Sequence, residues 1–253
     1  MQLLAAAWKP PFTNDSLGEF VGPGAVQPDR GAVLLVRADA GLPPPPANAP
    51  AAPGEESPLE ALVTELRRLH PGCPVAVWIP DAPADFVIDT VRQCIAASVR
   101  AILGGSHPDG GRLRLQLTHP GGLSNFILRW ASDAGYLPKG SVHHEVTTLL
   151  DAAPNVRTLS RLAAQRQEAA RTWRNRLQQM GLPTPRAWLG LAHSLHVAFY
   201  LQRNQGQPLS ILAQRLGYSD VTLMSHRFQH VFHMPPGEVR GLLGAEPLLH
   251  RWF

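Results

Sequence analysis

The sequence predicts an α/β N-terminal domain built on a partial parallel sheet, followed by an all-α C-terminal domain in which two helix-turn-helix units are joined by a long helix. Three observations carry this. Between residues 27 and 105, short aliphatic and β-branched runs alternate with stretches of helical periodicity. From Thr158 to Arg240, a short helical stripe, a turn and a second helical stripe occur twice. Between the two occurrences, Trp188 to Arg203 reads as one uninterrupted helix.

In chain order, residues 1–26 hold Pro10, Pro11, Gly22, Pro23 and Gly24 and are expected to be a partly ordered lead-in. Gly31 to Arg37, GAVLLVR, has no polar face and predicts a buried strand. Residues 42–58, LPPPPANAPAAPGEESP, cannot supply a core and are expected to be a mobile loop. Ser57-Pro58 with Glu60 marks a helix start, and Leu59, Leu62, Val63, Leu66 and Leu69 form its apolar stripe up to Pro71-Gly72. Pro74 to Ile79 predicts a second strand. Asp81 or Asp85 caps a helix carrying Phe86, Val87, Val91, Ile95 and Ala96, and Val99 to Leu103 is a third strand. Residues 27–122 form this α/β domain, and 123–138 a connecting helix beginning after Gly121-Gly122. A crevice at the carboxyl ends of the strands, near Arg37–Asp39, Pro80–Asp81 and Gly104–Ser106, is a candidate ligand pocket.

The helical domain is expected over 139–244, with 245–253 as a tail. Val142, Val146, Leu149 and Leu150 line its first helix. From Thr158, Leu159, Leu162 and Ala163 pack a short helix. After a turn around Arg166–Glu168, Trp173, Leu177 and Met180 face inward while Arg171, Arg174, Asn175 and Gln178 face outward. The long helix buries Leu191, Leu195, Ala198, Phe199 and Leu201. The second unit runs from Pro208, with Leu209, Leu212, Ala213 and Leu216, through a break at Gly217 and caps at Ser219 and Asp220. Its second helix carries Leu223, Met224, Phe228, Val231 and Phe232 inward and Thr222, Ser225, His226 and Gln229 outward, and stops at Pro235-Pro236. Spacing alone allows a DNA-reading pair or an ordinary helical hairpin in a core.

Composition narrows the function classes. The chain of 253 residues has no apolar run of the ~20 residues needed to cross a membrane. Its first residues, MQLLAAAWKPPF, lack a basic region and a signal-length apolar core, so a cytoplasmic location is expected. Cys73 and Cys94 give neither a disulfide framework nor zinc spacing. The charge is uneven: residues 1–150 carry a formal −3, and residues 151–253, with 12 Arg and no Lys, carry +7. A basic C-terminal half suits an anionic polymer such as double-stranded DNA.

The second unit resembles the second helix-turn-helix of AraC-type transcription regulators at Leu212-Ala213, Gly217-Tyr218-Ser219, Thr222, Met224, His226, Phe228, Pro236 and Arg240. Met224 stands where the family has an aromatic residue, His226 where it has Arg, and His233 where it has Gly. The segment from Thr158 resembles the first unit of the same family, with Ala169 where Ser or Thr caps the helix. The resemblance spans residues 139–244 and implies a regulator that reads two successive major grooves. Residues 27–105 resemble the later half of a response-regulator receiver. The phosphate-accepting carboxylate expected at the end of the first strand is replaced by Arg37, which implies a domain not phosphorylated by the aspartyl route. Such a domain is expected to serve as a scaffold, a docking module or a homodimerisation surface.

In this frame Arg171 and Arg174 suit guanine O6 and N7, and Asn175 suits adenine N6 and N7. Val221, Thr222, Ser225 and His226 occupy the outward positions that the family uses on the second reading helix, with Gln229 on the same outward face, as Gln178 is on that of the first. Neither cofactor nor metal is expected: His143-His144 point apart on a helix with no carboxylate partner evident, and of His226, His230 and His233, spaced at helical turns, His226 lies on the expected DNA face. Cys94 raises an alkyltransferase alternative, but it lies in an apolar helix without a Pro-Cys-His setting and is expected to be packing. The expected activity is therefore binding and not catalysis. The competing class is a non-catalytic adaptor whose helix-turn-helix domain no longer reads DNA.

Overall fold

The structure, a computed structural model, describes residues 6–8, 33–38, 57–138, 144–153, 156 and 158–253. A four-stranded sheet of β1 (Ala6–Trp8), β2 (Val33–Arg37), β3 (Val75–Ile79) and β4 (Ala101–Gly104) has that same spatial order. Strands β2, β3 and β4 are parallel, with Leu34 opposite Val75 and Ala76 opposite Ala101. The lead-in differs from expectation: Ala6–Trp8 adds an antiparallel edge strand, with Ala7 opposite Leu34. Residues 42–56 of the proposed mobile loop, and Asp39, lie outside the described residues.

The continuous apolar character of the parallel strands follows from burial on both faces. On one face, Leu34, Val36, Val75, Val77 and Ile79 meet α1 (Pro58–Leu69) and α2 (Ala84–Ala96) through Leu59, Val63, Leu66 and Cys94. On the other face, Val33, Leu35, Ala76, Ala101 and Leu103 meet Leu113 and Leu117 of α3 (Gly110–Leu117) and, from the far end of the chain, Leu243. The start of α1 is the capping box that Ser57 and Glu60 foretell: Glu60 N donates to Ser57 Oγ at 3.2 Å, and Ser57 N to Glu60 Oε2 at 3.0 Å. Helix α3 was not expected. Its Gln116 amide closes the free edge of β4, accepting from Ile102 N at 2.8 Å and donating to Ile102 O at 3.0 Å, as a neighbouring strand would.

Several inward assignments are corrected. Leu69 and Ile95 are exposed, at 51% and 67%. Ala96 is exposed as well. The seam of α2 runs instead through Thr90 and Cys94. Neither Asp81 nor Asp85 caps α2, whose first turn follows Pro83 with no side-chain bond.

The helical region comprises α4 (Leu123–Asp133), α5 (His144–Ala152), α6 (Leu159–Gln165), α7 (Ala170–Gln179), α8 (Pro185–Arg203), α9 (Leu209–Arg215), α10 (Val221–Phe232), a 3-10 turn (Glu238–Gly241) and α11 (Glu246–Trp252). Val146, Leu149 and Leu150 of α5 are buried as expected, while Val142 lies outside the described residues. The expected tail is the helix α11. Its Leu248 and Leu249 are fully buried, Trp252 packs on Trp188 with ring centroids 4.8 Å apart, and Phe253 stacks on Tyr136 at 5.0 Å.

A buried polar seam joins the sheet to the helices. Arg67 of α1 donates to Asp133 of α4 at 2.7 Å and to the carbonyls of Ala97 at 2.8 Å and Ser98 at 2.9 Å. Arg100 lies over the rings of Phe126 at 4.9 Å and Phe199 at 5.5 Å. Gln202 of α8 makes a two-point bond to Gly244, at 2.9 and 3.1 Å. Gly244 has φ +79°, and a Cβ there would meet Glu246 Oε2 at 2.7 Å and Pro74 at 3.0 Å. The turn thus requires glycine both for its backbone and for its closeness to the sheet domain.

The seam makes stability sensitive to two substitutions. Asp133→Ala leaves the Arg67 guanidinium buried without its carboxylate and should cost about 3–5 kcal/mol in urea unfolding. Burial pushes the Glu246 carboxyl above its ordinary 4.5, opposed by backbone N–H groups and by the charges of Arg100 and Arg67. The folded state therefore holds a proton that the unfolded chain releases, and wild-type stability falls as pH climbs above about 4.5. Glu246→Gln removes this slope, so its unfolding midpoint should gain on wild type as pH rises above about 4.5.

Candidate nucleic-acid interface

The turns of the two helical pairs repeat one another bond for bond at an offset of fifty residues. In the first, Glu168 N donates to Ala163 O at 3.0 Å and Gln167 N to Ala164 O at 3.2 Å. In the second, Tyr218 N donates to Ala213 O at 2.8 Å and Gly217 N to Gln214 O at 2.9 Å. Both turns pass through the left-handed region, with φ +53° at Gln167 and +68° at Gly217. Gly217 takes this conformation without a Cβ clash, while Gln167 is one of the uncommon non-glycine residues that does so. The packing also repeats: Leu162 and Ala163 with Trp173 and Leu177 in one pair, Leu212 and Ala213 with Met224 and Phe228 in the other, all buried.

The caps differ. Asp220 accepts from Leu223 N at 2.7 Å and from the Ser219 hydroxyl at 3.1 Å, and these bonds hold its carboxyl below the ordinary 3.8. Ala169 begins α7 without a side-chain bond. At the far end of α10, His233 adopts φ +54°, so it meets the left-handed turn for which glycine was expected.

Of the expected contact residues, Arg171, Arg174, Asn175 and Gln178 are exposed on α7, and Thr222, His226 and Gln229 on α10. Val221 and Ser225 are only half-buried. Leu223 and Met180, expected inside, are 39% and 42% exposed. Arg171 and Arg174 have no acidic partner among the described residues, whereas Arg176 of the same helix is bound by Glu168 and, at 3.2 Å, by Glu145 of α5. Arg176 therefore fixes α7 to its neighbours and leaves the outward cations free of that duty. Glu168 also accepts from Trp173 Nε1.

Arg240 holds the approach to α9: its Nη1 donates to Gln205 O at 2.7 Å, another amine of the fork to Gln207 O, and Gln205 Nε2 returns a bond to Arg240 O at 2.9 Å. It positions the second pair and does not face outward.

Between the pairs lies an open cleft of about 930 Å³. Arg174 of α7, Arg186 and His193 of α8, Arg227 and His230 of α10, and His233 line it, and no described lining residue is acidic. The helices α7 and α10 therefore border a common surface. Arg186 and Arg227 were not singled out from the sequence, where their signal was the excess of Arg without Lys in the C-terminal half, and His230 was weighed there only as a metal ligand.

Elsewhere, the chemistry thins. Cys94 is fully buried, and burial pushes its thiol up to about 12, far from a nucleophile's range. Among the described residues no group of His, Cys, Asp or Glu is arranged to hold a metal ion. No helix among them is long and apolar enough to cross a membrane. At the carboxyl ends of the strands, near the expected ligand crevice, Trp78 donates to Gly105 O at 2.9 Å with the Arg37 guanidinium 5.0 Å from its ring.

Comparison of the chain with protein-family models, curated proteins and solved structures gives no significant match.

Proposed function

We propose that the chain is a sequence-specific DNA-binding transcription regulator of the AraC type, with α6–α7 and α9–α10 as two helix-turn-helix units. The observation that carries this is the repetition of the pair, turn bond for turn bond, before and after α8 in the chain. A core needs no such duplication, whereas reading two successive major grooves ~34 Å apart does. Arg171 and Asn175 of α7, with Gln178 beside them, and Thr222, His226 and Gln229 of α10, with Ser225 and Val221, supply the base-facing chemistry. The N-terminal sheet, with Arg37 where a receiver holds its phosphate-accepting carboxylate, is a non-phosphorylated regulatory or homodimerising domain. The protein acts by binding and not by catalysis.

A second reading, an adaptor that has lost DNA readout, is favoured by one observation. Ile211 and Leu223 are exposed on the second pair, at 42% and 39%, where an apolar contact with another protein would fit.

The two readings separate by salt. A DNA reader loses affinity for duplex DNA linearly in log salt, with a slope near −0.9 for each phosphate neutralised. Fluorescence anisotropy on labelled duplex should give that slope, and Arg171→Ala should cost about 1–3 kcal/mol on the preferred duplex while costing little on random duplex. Absence of salt-dependent duplex binding by folded protein would leave the adaptor.

A further inference from the structure

The cleft between the two pairs is a basic surface in its own right, and its assignment rests on the DNA reading above. Three guanidinium groups, Arg174, Arg186 and Arg227, reach it from three different helices, with His193, His230 and His233 beside them and no acidic group among its described lining residues. Like charges gathered without a counter-charge raise the free energy of the unliganded protein and lower it when an anion arrives. The first turn of α8 opens on the same space through Thr184 and Ala187, adding the positive end of a helix of 19 residues. Arg186 and Arg227 are both exposed, and the Arg227 guanidinium lies 6.0 Å from the Tyr218 ring. These side chains are not needed to hold the core.

The angular positions on α7 sharpen the assignment. Successive residues turn by about 100° around a helix axis. Arg171 and Asn175 each lie two steps from the buried Trp173 and so point directly away from the core, while Arg174 lies one step from it, on the flank that borders the cleft. On α10, Arg227 likewise lies one step from the buried Phe228. The outward faces of the two helices and the cleft between them are therefore different surfaces, served by different residues.

We propose that this cleft is a phosphate clamp: it receives the DNA backbone that crosses between the two half-elements, with Arg174, Arg186 and Arg227 on its phosphodiester oxygens. Arg174 then belongs to the sequence-independent contacts, and Arg171 and Asn175 carry the base reading of the first unit. Guanidinium forks bind phosphate oxygens in pairs, and such contacts position a protein on the duplex without reading it.

The test uses the full chain and duplexes in which the phosphates between the half-elements are replaced by neutral methylphosphonates. Wild type should lose about tenfold in affinity for each clamped phosphate neutralised. Arg186→Ala/Arg227→Ala should bind the unmodified duplex more weakly, with a salt slope shallower by about 0.9 for each phosphate the variant leaves unbound, and should show little further loss on the methylphosphonate duplex. Its preferred sequence should match that of wild type, and Arg174→Ala should behave in the same way. Full affinity of wild type for the neutralised duplex, or equal losses in wild type and variant, would overturn the clamp while leaving DNA binding intact. Failure of wild type to bind any duplex would overturn the DNA reading itself, and the clamp with it. Circular dichroism of the variants, expected to match wild type, separates weakened phosphate binding from impaired folding.

Discussion

The burial of α8 on nearly every side sets the terms for the rest of the molecule. Twelve of its residues are buried, from Pro185 and Trp188 to Leu201 and Gln202. A helix so enclosed cannot bend or slide without exposing core on one side and overpacking it on the other. With a rise of about 1.5 Å per residue, it is a strut some 28 Å long. Helices α6 and α7 pack against it, and so does α10 of the second pair. Its last turn also reaches α3, which covers one face of the sheet: Arg203 donates to Thr118 at 2.8 Å and Arg114 to Gln202 O at 2.9 Å. The spacing of the two pairs and their placement against the N-terminal domain therefore come from one packed element.

The N-terminal domain is attached by more than a linker. Leu243 completes the second face of the sheet, Trp130 of α4 donates to Pro71 O at 3.1 Å, and the Arg67–Asp133 pair is sealed between α1 and α4. A buried pair of this kind is weak as a source of net stability but strict in geometry, because either partner alone is costly. A change at the sheet thus has a physical route to the helical pairs, through the seam and into the last turn of α8. That coupling is what a regulatory domain would need.

Much of this was legible in local chemistry. Ser57 with Glu60, and Asp220 after Ser219, spell helix starts because a side-chain oxygen can meet an orphan N–H three residues on, and both side chains cap their helices. The strands at Val33, Val75 and Ala101 were legible because nothing polar interrupts them. Helix α3 was not: its Gly-Gly start is poor in helix propensity, and Leu113-Arg114-Leu115 alternates like a strand. β1 is three residues long and takes its conformation from pairing with β2. The inward assignments that failed, at Leu69, Ile95, Met180 and Leu223, are apolar residues beside a stripe whose centre tertiary packing decided. The outward faces of α7 and α10 were legible from period alone, whereas the cleft was not, since it joins residues from α7, α8 and α10 that no spacing connects.

The central claim is that two equivalent units read one duplex at once. It is tested most directly by selecting bound sequences from a random duplex pool with the full chain, alongside Arg171→Ala. The account predicts an enriched, asymmetric motif of two half-elements about 10 base pairs apart, centre to centre, with one element lost in the variant. A motif confined to a single element, or no enrichment from folded protein, would contradict it.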